Sequence, residues 1–213
     1  MFNKKESERL IASNLLQINA IKLSPKEPFV WASGIKSPIY CDNRLTLSHP
    51  DIRKTIARSF ADVAKESFES IDVVAGVATG AIAHGILVAE VLNLPFVYVR
   101  SAPKGHGMQN LIEGQVNAGQ KVLVIEDLVS TGMSSIQAID ALQSVNVDVV
   151  GLLAIFTYGF QKANDAFEMK NCNWKTLTNY PVLIEVAVEK GYISEEEKTL
   201  LMKWYSSPDT WGL

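Results

Sequence analysis

The sequence is poor in cysteine, with Cys41 and Cys172 the only two among its 213 residues. They lie far apart and show neither CxxC spacing nor a pairing with histidine that would indicate a metal site. The pattern argues against a disulfide framework and against a cysteine-based zinc centre. We expect two thiols in a reducing compartment.

Long apolar runs are also missing, and neither sign of charge is in large excess. No segment reaches the length of a transmembrane helix, and Met1 to Leu10 is polar with charges of both signs, unlike a secretory signal. A net charge of −3 gives no reason to expect nonspecific binding to nucleic acid or to a membrane. We therefore expect a cytoplasmic protein with no nucleic-acid partner and no membrane partner.

The sequence does contain apolar segments that alternate with helical patterns. This alternation predicts an α/β fold, a central mostly parallel twisted sheet flanked by helices. We expect a single domain over residues 1–213, with an N-terminal helix and small hood strands over about 1–45, a core over about 46–160 and a C-terminal helical tail over about 161–213. The predicted core strands are Val73 to Val77, Pro95 to Val99, Val122 to Ile125 and Val147 to Phe156.

The stretch from Lys121 to Ser135, KVLVIEDLVSTGMSS, combines several features in a fixed order. Its apolar run lacks polar alternation and is typical of a parallel strand covered on both faces. Glu126 and Asp127 stand where that strand is expected to end. A turn rich in hydroxyls, containing Gly132, then leads into a helical pattern.

Each part of this order has a chemical use. N–H groups at the start of a helix lack partners within it, and together with the helix dipole they attract phosphate. The hydroxyls of the turn can add donors, and Gly132 keeps a Cβ away from the anion. Glu126 and Asp127 would repel phosphate but can accept hydrogen bonds from vicinal sugar hydroxyls. We predict a site for a ribose 5-phosphate; a simple helix cap beside a solvated strand end is the alternative.

A second turn of small residues follows the strand Val73 to Val77. Ala78, Thr79 and Gly80 lead directly into an apolar helix, so their N–H groups can also face an anion. Tight packing of the strand against the helix explains the same residues nearly as well.

The segment from Ser101 to Gly119 loses the hydrophobic period and contains four glycines and a proline. It is too long and too polar for a simple connector, which favours a mobile lid over an ordinary surface loop. Arg100, Lys104 and His106 place three potential cations within seven positions. Such a group suits a leaving pyrophosphate, whose negative charge grows as its bond breaks.

The segment EDLVSTGMSS, which begins at Glu126, resembles the loop of type I phosphoribosyltransferases that binds 5-phosphoribosyl 1-pyrophosphate (PRPP). Two other segments are similar to the orotate phosphoribosyltransferase family in particular. SGIKSPIYCDNR resembles the family segment whose lysine lies over the active site, which implies that Lys36 contacts pyrophosphate or base. RSAPKGHG is similar to the RxxxKxHG signature, whose Lys104 and His106 positions lie on a loop that closes over the partner subunit's site. That resemblance implies a homodimer with a shared lid.

The resemblance implies transfer of the 5-phosphoribosyl group of PRPP to orotate, giving orotidine 5′-phosphate and pyrophosphate, with Mg²⁺ bridging substrate oxygens. Lys104, His106 and Asp127 are the implied catalytic residues, and Ser130 also lies near orotate. No protein residue is expected to be a dedicated metal ligand. The implied substrate-binding residues are Lys36, Thr79, Gly80, Arg100, Lys104, His106, Glu126, Asp127, Leu128, Val129, Ser130, Thr131, Gly132, Met133 and Ser134.

One departure and three rival functions stand beside this interpretation. The least favoured rival is a dinucleotide-binding protein, because neither GxGxxG nor GxxxxGK(S/T) follows any predicted strand. Many orotate enzymes carry an Asp-Arg pair after the fourth strand, whereas here Thr157, Tyr158 and Gly159 follow, so the contact to the orotate carboxylate is open. A purine or xanthine phosphoribosyltransferase would share the PRPP loop but is not expected to have both SGIKSPIY and RSAPKGHG. A PRPP-sensing transcriptional regulator would need a nucleic-acid surface, and residues 1–30 show no evident recognition helix.

Overall fold

The computed structural model describes residues 4–31, 34, 36–102, 111–208 and 210–211. The chain packs as two compact units, one formed by residues 49–177 and the other by residues 1–48 together with 178–213. In chain order the elements are α1 (Lys4–Gln17), β1 (Ile21–Leu23), β2 (Phe29–Val30), β3 (Lys36–Ser37), β4 (Ile39–Cys41), a 3-10 helix (Asn43–Ser48), α2 (Pro50–Ser67), β5 (Val73–Val77), α3 (Ile82–Leu92), β6 (Phe96–Val99), β7 (Ile112–Glu113), β8 (Lys121–Val129), α4 (Met133–Gln143), β9 (Asp148–Thr157), α5 (Gln161–Met169), β10 (Trp174–Asn179), α6 (Tyr180–Glu189) and α7 (Glu195–Ser206).

A six-stranded sheet with the order β10-β9-β8-β5-β6-β7 organises the larger unit. Strands β9, β8, β5 and β6 run parallel, and β7 pairs with β6 in the antiparallel direction. All five residues of β5 are buried, as the unbroken apolar run predicts for a strand with helices on both faces. Helix α2 packs on α3 and α4 packs on α5. The prediction of a mostly parallel α/β sheet flanked by helices is confirmed.

The parallel arrangement brings the carboxyl ends of neighbouring strands to one edge of the sheet. Val77 at the end of β5 pairs with Val99 at the end of β6, and Val129 at the end of β8 pairs with Thr157 at the end of β9. In open α/β sheets ligands bind beyond this edge. The turns singled out from the sequence follow these strand ends.

The smaller unit contains the N-terminal and C-terminal helices and two short hairpins. Helix α1 packs on α6, β1 pairs with β4, and β2 pairs with β3. Trp204 is fully buried and makes an edge contact with Trp31, with ring centroids 5.9 Å apart. Helix α7 begins with a capping box, in which Ser194 Oγ accepts from the N–H of Glu197 and the Glu197 carboxylate accepts from the N–H of Ser194.

Several elements differ from the sequence expectation. Strand β8 continues through Glu126 and Asp127 to Val129, because β9 pairs with it along this whole length. The two-residue strand β7 lies in the stretch predicted as an irregular loop, where it is too short to leave a periodic pattern. The expected helical tail from residue 161 also contains β10, which joins the sheet as an edge strand.

Among the described residues, no helix combines the length and the apolar character needed to cross a membrane.

Candidate active site

Glu126 and Asp127 lie on opposite faces of the sheet. Both belong to β8, and successive side chains of a strand point in opposite directions. Glu126 is only 4% exposed and contacts Ser135 in the first turn of α4, whereas the half-buried Asp127 faces the turn before α3. The two predicted acids are therefore brought to one strand end but have different surroundings.

The Glu126 carboxylate is held at both oxygens. Ser135 Oγ donates to Oε2 at 3.2 Å, and the backbone N–H of Asp127 donates to Oε1 at 3.0 Å. Burial raises the pKa of Glu126 well above its usual value, and the negative charge of Asp127 adds to this effect. The hydrogen bond from Ser135 opposes it by stabilising the charged form.

Asp127 lies directly against Gly80. A Cβ built on Gly80 would stand 2.3 Å from Oδ2 and 2.5 Å from Cγ of Asp127, so this carboxylate occupies the space that a side chain at position 80 would need. The two predicted segments, separated by 47 positions, meet at this point. A side chain at position 80 would therefore displace this carboxylate, and the glycine is not explained by an unusual backbone angle.

The turn from Ala78 to Ala81 presents unused amides next to that carboxylate. The N–H of Ala78 donates to the carbonyl of Val99 at 2.8 Å, and that of Ala81 donates to Val77 at 3.1 Å. No acceptor among the described residues receives the N–H of Thr79 or Gly80. The Ala78–Thr79 peptide bond is cis. Two amides are thus available to an anion beside Asp127.

The loop before α4 presents a second set of amides. Ile136 is the first helix residue with a backbone partner, donating to the carbonyl of Gly132 at 2.9 Å. In the described part of the chain, the N–H groups of residues 131–135 find no acceptor. With the helix dipole they form the cradle that the sequence predicts for a phosphate.

The side chains of this loop differ in exposure. Ser130 and Thr131 are half-buried and Ser134 is exposed, so these hydroxyls are accessible from outside. Met133 is 68% exposed. The side chain of Val129 is buried in the core and that of Leu128 is half-buried. Because Val129 has its side chain in the core, only its backbone can face a ligand.

The structural role of Gly132 differs from the one expected from the sequence. Its φ of 81° lies in the left-handed region, where a Cβ is strained. A Cβ there would point toward α5, 3.3 Å from Cε2 of Phe167 and 3.7 Å from Cα of Ala163. The glycine therefore permits the turn and its packing on α5, and it does not clear space for the anion.

Thr157 is a residue of this strand end that sequence reasoning missed. Its Oγ1 donates to the carbonyl of Val129 at 2.9 Å and accepts from the N–H of Gly159 at 2.9 Å. It joins the start of the loop after β8 to the turn after β9. A threonine that ends a buried strand gives no sequence signal for this role. In that turn Tyr158 stacks on Phe160, with ring centroids 5.3 Å apart, where many orotate enzymes have an Asp-Arg pair.

Arg100 follows β6 and is engaged within the protein. Its Nη1 lies 3.4 Å from Oε1 of Glu113 on β7, and its backbone N–H donates to the carbonyl of Leu111 at 2.8 Å. These contacts join Arg100, which precedes the segment predicted as a lid, to Leu111 and Glu113 within that segment. Glu113 was not predicted from the sequence.

Three predicted residues belong to the other unit or to the part of the chain that is not described. Lys36 is exposed on β3 of the smaller unit. Lys104 and His106 lie outside the described residues. No group of three or more His, Cys, Asp or Glu side chains suited to a metal ion occurs among the described residues.

Comparisons with known proteins agree with a site that binds phosphate groups at the two amide turns. Residues 46–187 match the family described as a phosphoribosyl transferase domain. An orotate phosphoribosyltransferase of Porphyromonas gingivalis is 53% identical over 205 residues, covering 96% of this chain and 98% of that protein. The orotate phosphoribosyltransferase of Listeria innocua is also 53% identical, with the same coverage.

The fold agrees with this result. The crystal structure of orotate phosphoribosyltransferase from Aeropyrum pernix superimposes with a TM-score of 0.75 at 26% identity, covering 86% of this chain and 99% of that chain. The predicted type I phosphoribosyltransferase fold is confirmed. By sequence over nearly its whole length, and by the fold that carries the candidate site, the chain belongs to the orotate phosphoribosyltransferase family.

Proposed function

We propose that the chain transfers the 5-phosphoribosyl group of PRPP to N1 of orotate. The bond between C1 of the ribose and the pyrophosphate oxygen breaks, a bond between C1 and N1 forms, and N1 loses its proton. The products are orotidine 5′-phosphate and pyrophosphate. The observation that carries the proposal is the contact of Asp127 with Gly80, because it brings one of the two ribose acids next to a second anion-binding turn.

The 5-phosphate of PRPP fits the loop from Ser130 to Ser134. The available amides at the start of α4 and the accessible hydroxyls of Ser130, Thr131 and Ser134 supply the donors. Backbone donors of this kind are already fixed by the fold, so little ordering is needed when the phosphate binds.

Asp127 and Glu126 are the acceptors for the ribose hydroxyls. Each oxygen of Glu126 accepts one hydrogen bond from the protein and retains a further lone pair, and Asp127 faces the pyrophosphate turn. Held between the two amide turns, the ribose presents C1 toward the turn at Thr79 and Gly80. Such positioning of the reacting carbon contributes much of the rate in group transfer.

The pyrophosphate is assigned to the Thr79 and Gly80 amides, Arg100, Lys104 and His106. As the C1–oxygen bond breaks, the sugar gains oxocarbenium character and the leaving group gains negative charge, which donors and cations stabilise. Arg100 exchanges its contact with Glu113 for phosphate oxygens in this proposal. Lys104 or His106 donates a proton to the departing pyrophosphate, a contribution on the order of 10²-fold.

A divalent cation suits this chemistry, and we assign it as Mg²⁺. Since the described residues hold no cluster of three metal-ligating side chains, the ion would be held chiefly by the oxygens of pyrophosphate and ribose, as Mg²⁺ readily is. When bound it neutralises charge on the leaving group. The protein itself contributes the amide turn at Thr79 and Gly80 and the cationic side chains assigned to the pyrophosphate.

We further propose a cytoplasmic homodimer in which the segment with Lys104 and His106 completes the partner subunit's site. The similarity of RSAPKGHG to the family signature supports the shared lid. Neither Cys41 nor Cys172 forms a disulfide, which agrees with a reducing compartment.

The direct test is turnover. Incubation with PRPP, Mg²⁺ and single bases (orotate, uracil, adenine, hypoxanthine or xanthine) should show loss of the orotate absorbance and release of one pyrophosphate per orotate consumed, with no comparable reaction of the other bases. The Asp127→Ala variant serves as the control for contaminating activity. Turnover of a purine, or none of orotate, would refute the proposal, and salt-sensitive operator binding without turnover would favour the regulator.

A further inference from the structure

We propose that Ser135 is a positioning residue for PRPP, whose hydroxyl fixes the Glu126 carboxylate in the orientation that receives the ribose. The inference rests on the proposed function. It concerns a side chain that contacts neither phosphate nor sugar in the proposed binding mode.

The burial of Ser135 separates it from the other hydroxyls of the loop. Ser134 is exposed at the start of α4, whereas Ser135, the next residue and about 100° further around the helix, has no exposed surface. Its Oγ donates to Oε2 of Glu126 at 3.2 Å. Ser135 therefore points into the protein, and its partner is one of the two acids at the strand end.

This contact acts on Glu126 together with a backbone contact. Oε1 accepts from the N–H of Asp127 at 3.0 Å, so each carboxylate oxygen has one protein donor. With both donors in place the carboxylate cannot rotate without losing a hydrogen bond. Its remaining lone pairs then point in fixed directions.

The consequence for PRPP is that two of its groups are bound by one rigid piece of structure. The first turn of α4 supplies amides for the 5-phosphate, and the same turn, through Ser135, sets the acid that receives the ribose. The spacing between the phosphate site and the sugar site therefore does not depend on a flexible side chain. Small errors in such positioning reduce transfer rates strongly.

The test compares Ser135→Ala with Ser144→Ala. Ser144 is at the other end of α4, where its Oγ donates to the carbonyl of Ala141 at 2.7 Å, so its removal controls for loss of a hydroxyl from this helix. We expect Ser135→Ala to lower kcat/KM for PRPP about tenfold, in line with the loss of one hydrogen bond to a buried group. The KM for orotate and the Tm should stay close to those of the wild type, and Ser144→Ala should leave all three unchanged.

A double-mutant cycle with Glu126→Gln shows whether Ser135 acts through Glu126. In the Glu126→Gln background the added Ser135→Ala change should have less than a twofold effect. A full tenfold loss in that background, no loss in the wild-type background, or an equal loss for orotate with a lowered Tm would each overturn the inference. A wild-type chain that does not consume orotate would instead refute the proposed function.

Discussion

The Asp127 carboxylate stands where a Cβ of Gly80 would lie, only 2.3 Å from the position of that atom. The short carboxylate can rotate away but cannot stay in place if position 80 gains a side chain. Asp127 and the turn at Gly80, to which we assign the ribose and the pyrophosphate, are thus coupled by direct contact.

Gly80→Ala should therefore impair catalysis by displacing Asp127. We expect kcat/KM for PRPP to fall on the order of 10²-fold, since a shift of about 1 Å at a reacting group has this effect. Steady-state kinetics checks it. In the Asp127→Ala background the same Gly80→Ala change should have little further effect, and additive losses would show that Gly80 acts independently.

Gly132→Ala should weaken the phosphate cradle and the fold together. The new Cβ would be strained at a φ of 81° and would contact Phe167 at 3.3 Å. We expect a loss of roughly 1–3 kcal/mol in stability and a raised KM for PRPP. Thermal unfolding and kinetics measure the two effects, and Gly119→Ala, which shares the left-handed φ but has nothing within 4 Å of its Cβ, is the matched control. An unchanged KM for PRPP would contradict the role of this turn.

Lys104→Ala should reduce turnover much more than PRPP affinity, by on the order of 10²-fold, if the lysine stabilises or protonates the leaving group. Equal effects on kcat and on PRPP binding would make it a binding contact only. Mixing Lys104→Ala with Asp127→Ala subunits should restore part of the activity, because each mixed dimer contains one intact site. Persistent inactivity despite demonstrated subunit exchange would contradict the shared lid.

Glu126→Gln should change how stability depends on pH. Because burial raises the pKa of Glu126, the folded state holds a proton that the unfolded state has lost once the pH exceeds the usual value. This stabilising contribution is complete below the unfolded pKa and is lost as the pH rises through the folded pKa, by up to about 1.4 kcal/mol per pH unit. As the pH rises above the usual pKa of a glutamate, the Tm of the wild type should fall more steeply than that of Glu126→Gln. Parallel slopes would contradict the prediction.

The Cys172 thiol should react slowly. Burial raises its pKa from 9.0 to about 11, so its thiolate fraction at pH 8 is on the order of 10⁻³. In a Cys41→Ser variant, alkylation at pH 8 should be about 100-fold slower than that of an ordinary thiol and should accelerate as the pH approaches 11. The raised pKa of Cys172 also contributes to the stability of the folded state. This contribution is present below pH 9 and is lost as the pH rises through the folded pKa. Fast alkylation at pH 8 would contradict this assignment.

The sequence allowed the strands and turns to be predicted because their signals are local. The apolar runs of β5 and β8 and the small residues after them predicted both amide turns. The contact of Asp127 with Gly80 could not be predicted, because it depends on how neighbouring strands align. The placement of Glu126 and Asp127 on opposite faces was also not predicted. It follows from the continuation of β8 through both residues, and that length is set by pairing with β9.

The packing of Gly132 on α5 has a consequence for how the family can diverge. A larger residue at Ala163, or a shifted ring at Phe167, would push on the floor of the phosphate loop from inside the hydrophobic core. Under the proposed function, a change at either interior position would therefore weaken binding of the sugar donor. Both residues would affect substrate affinity although neither belongs to the loop itself.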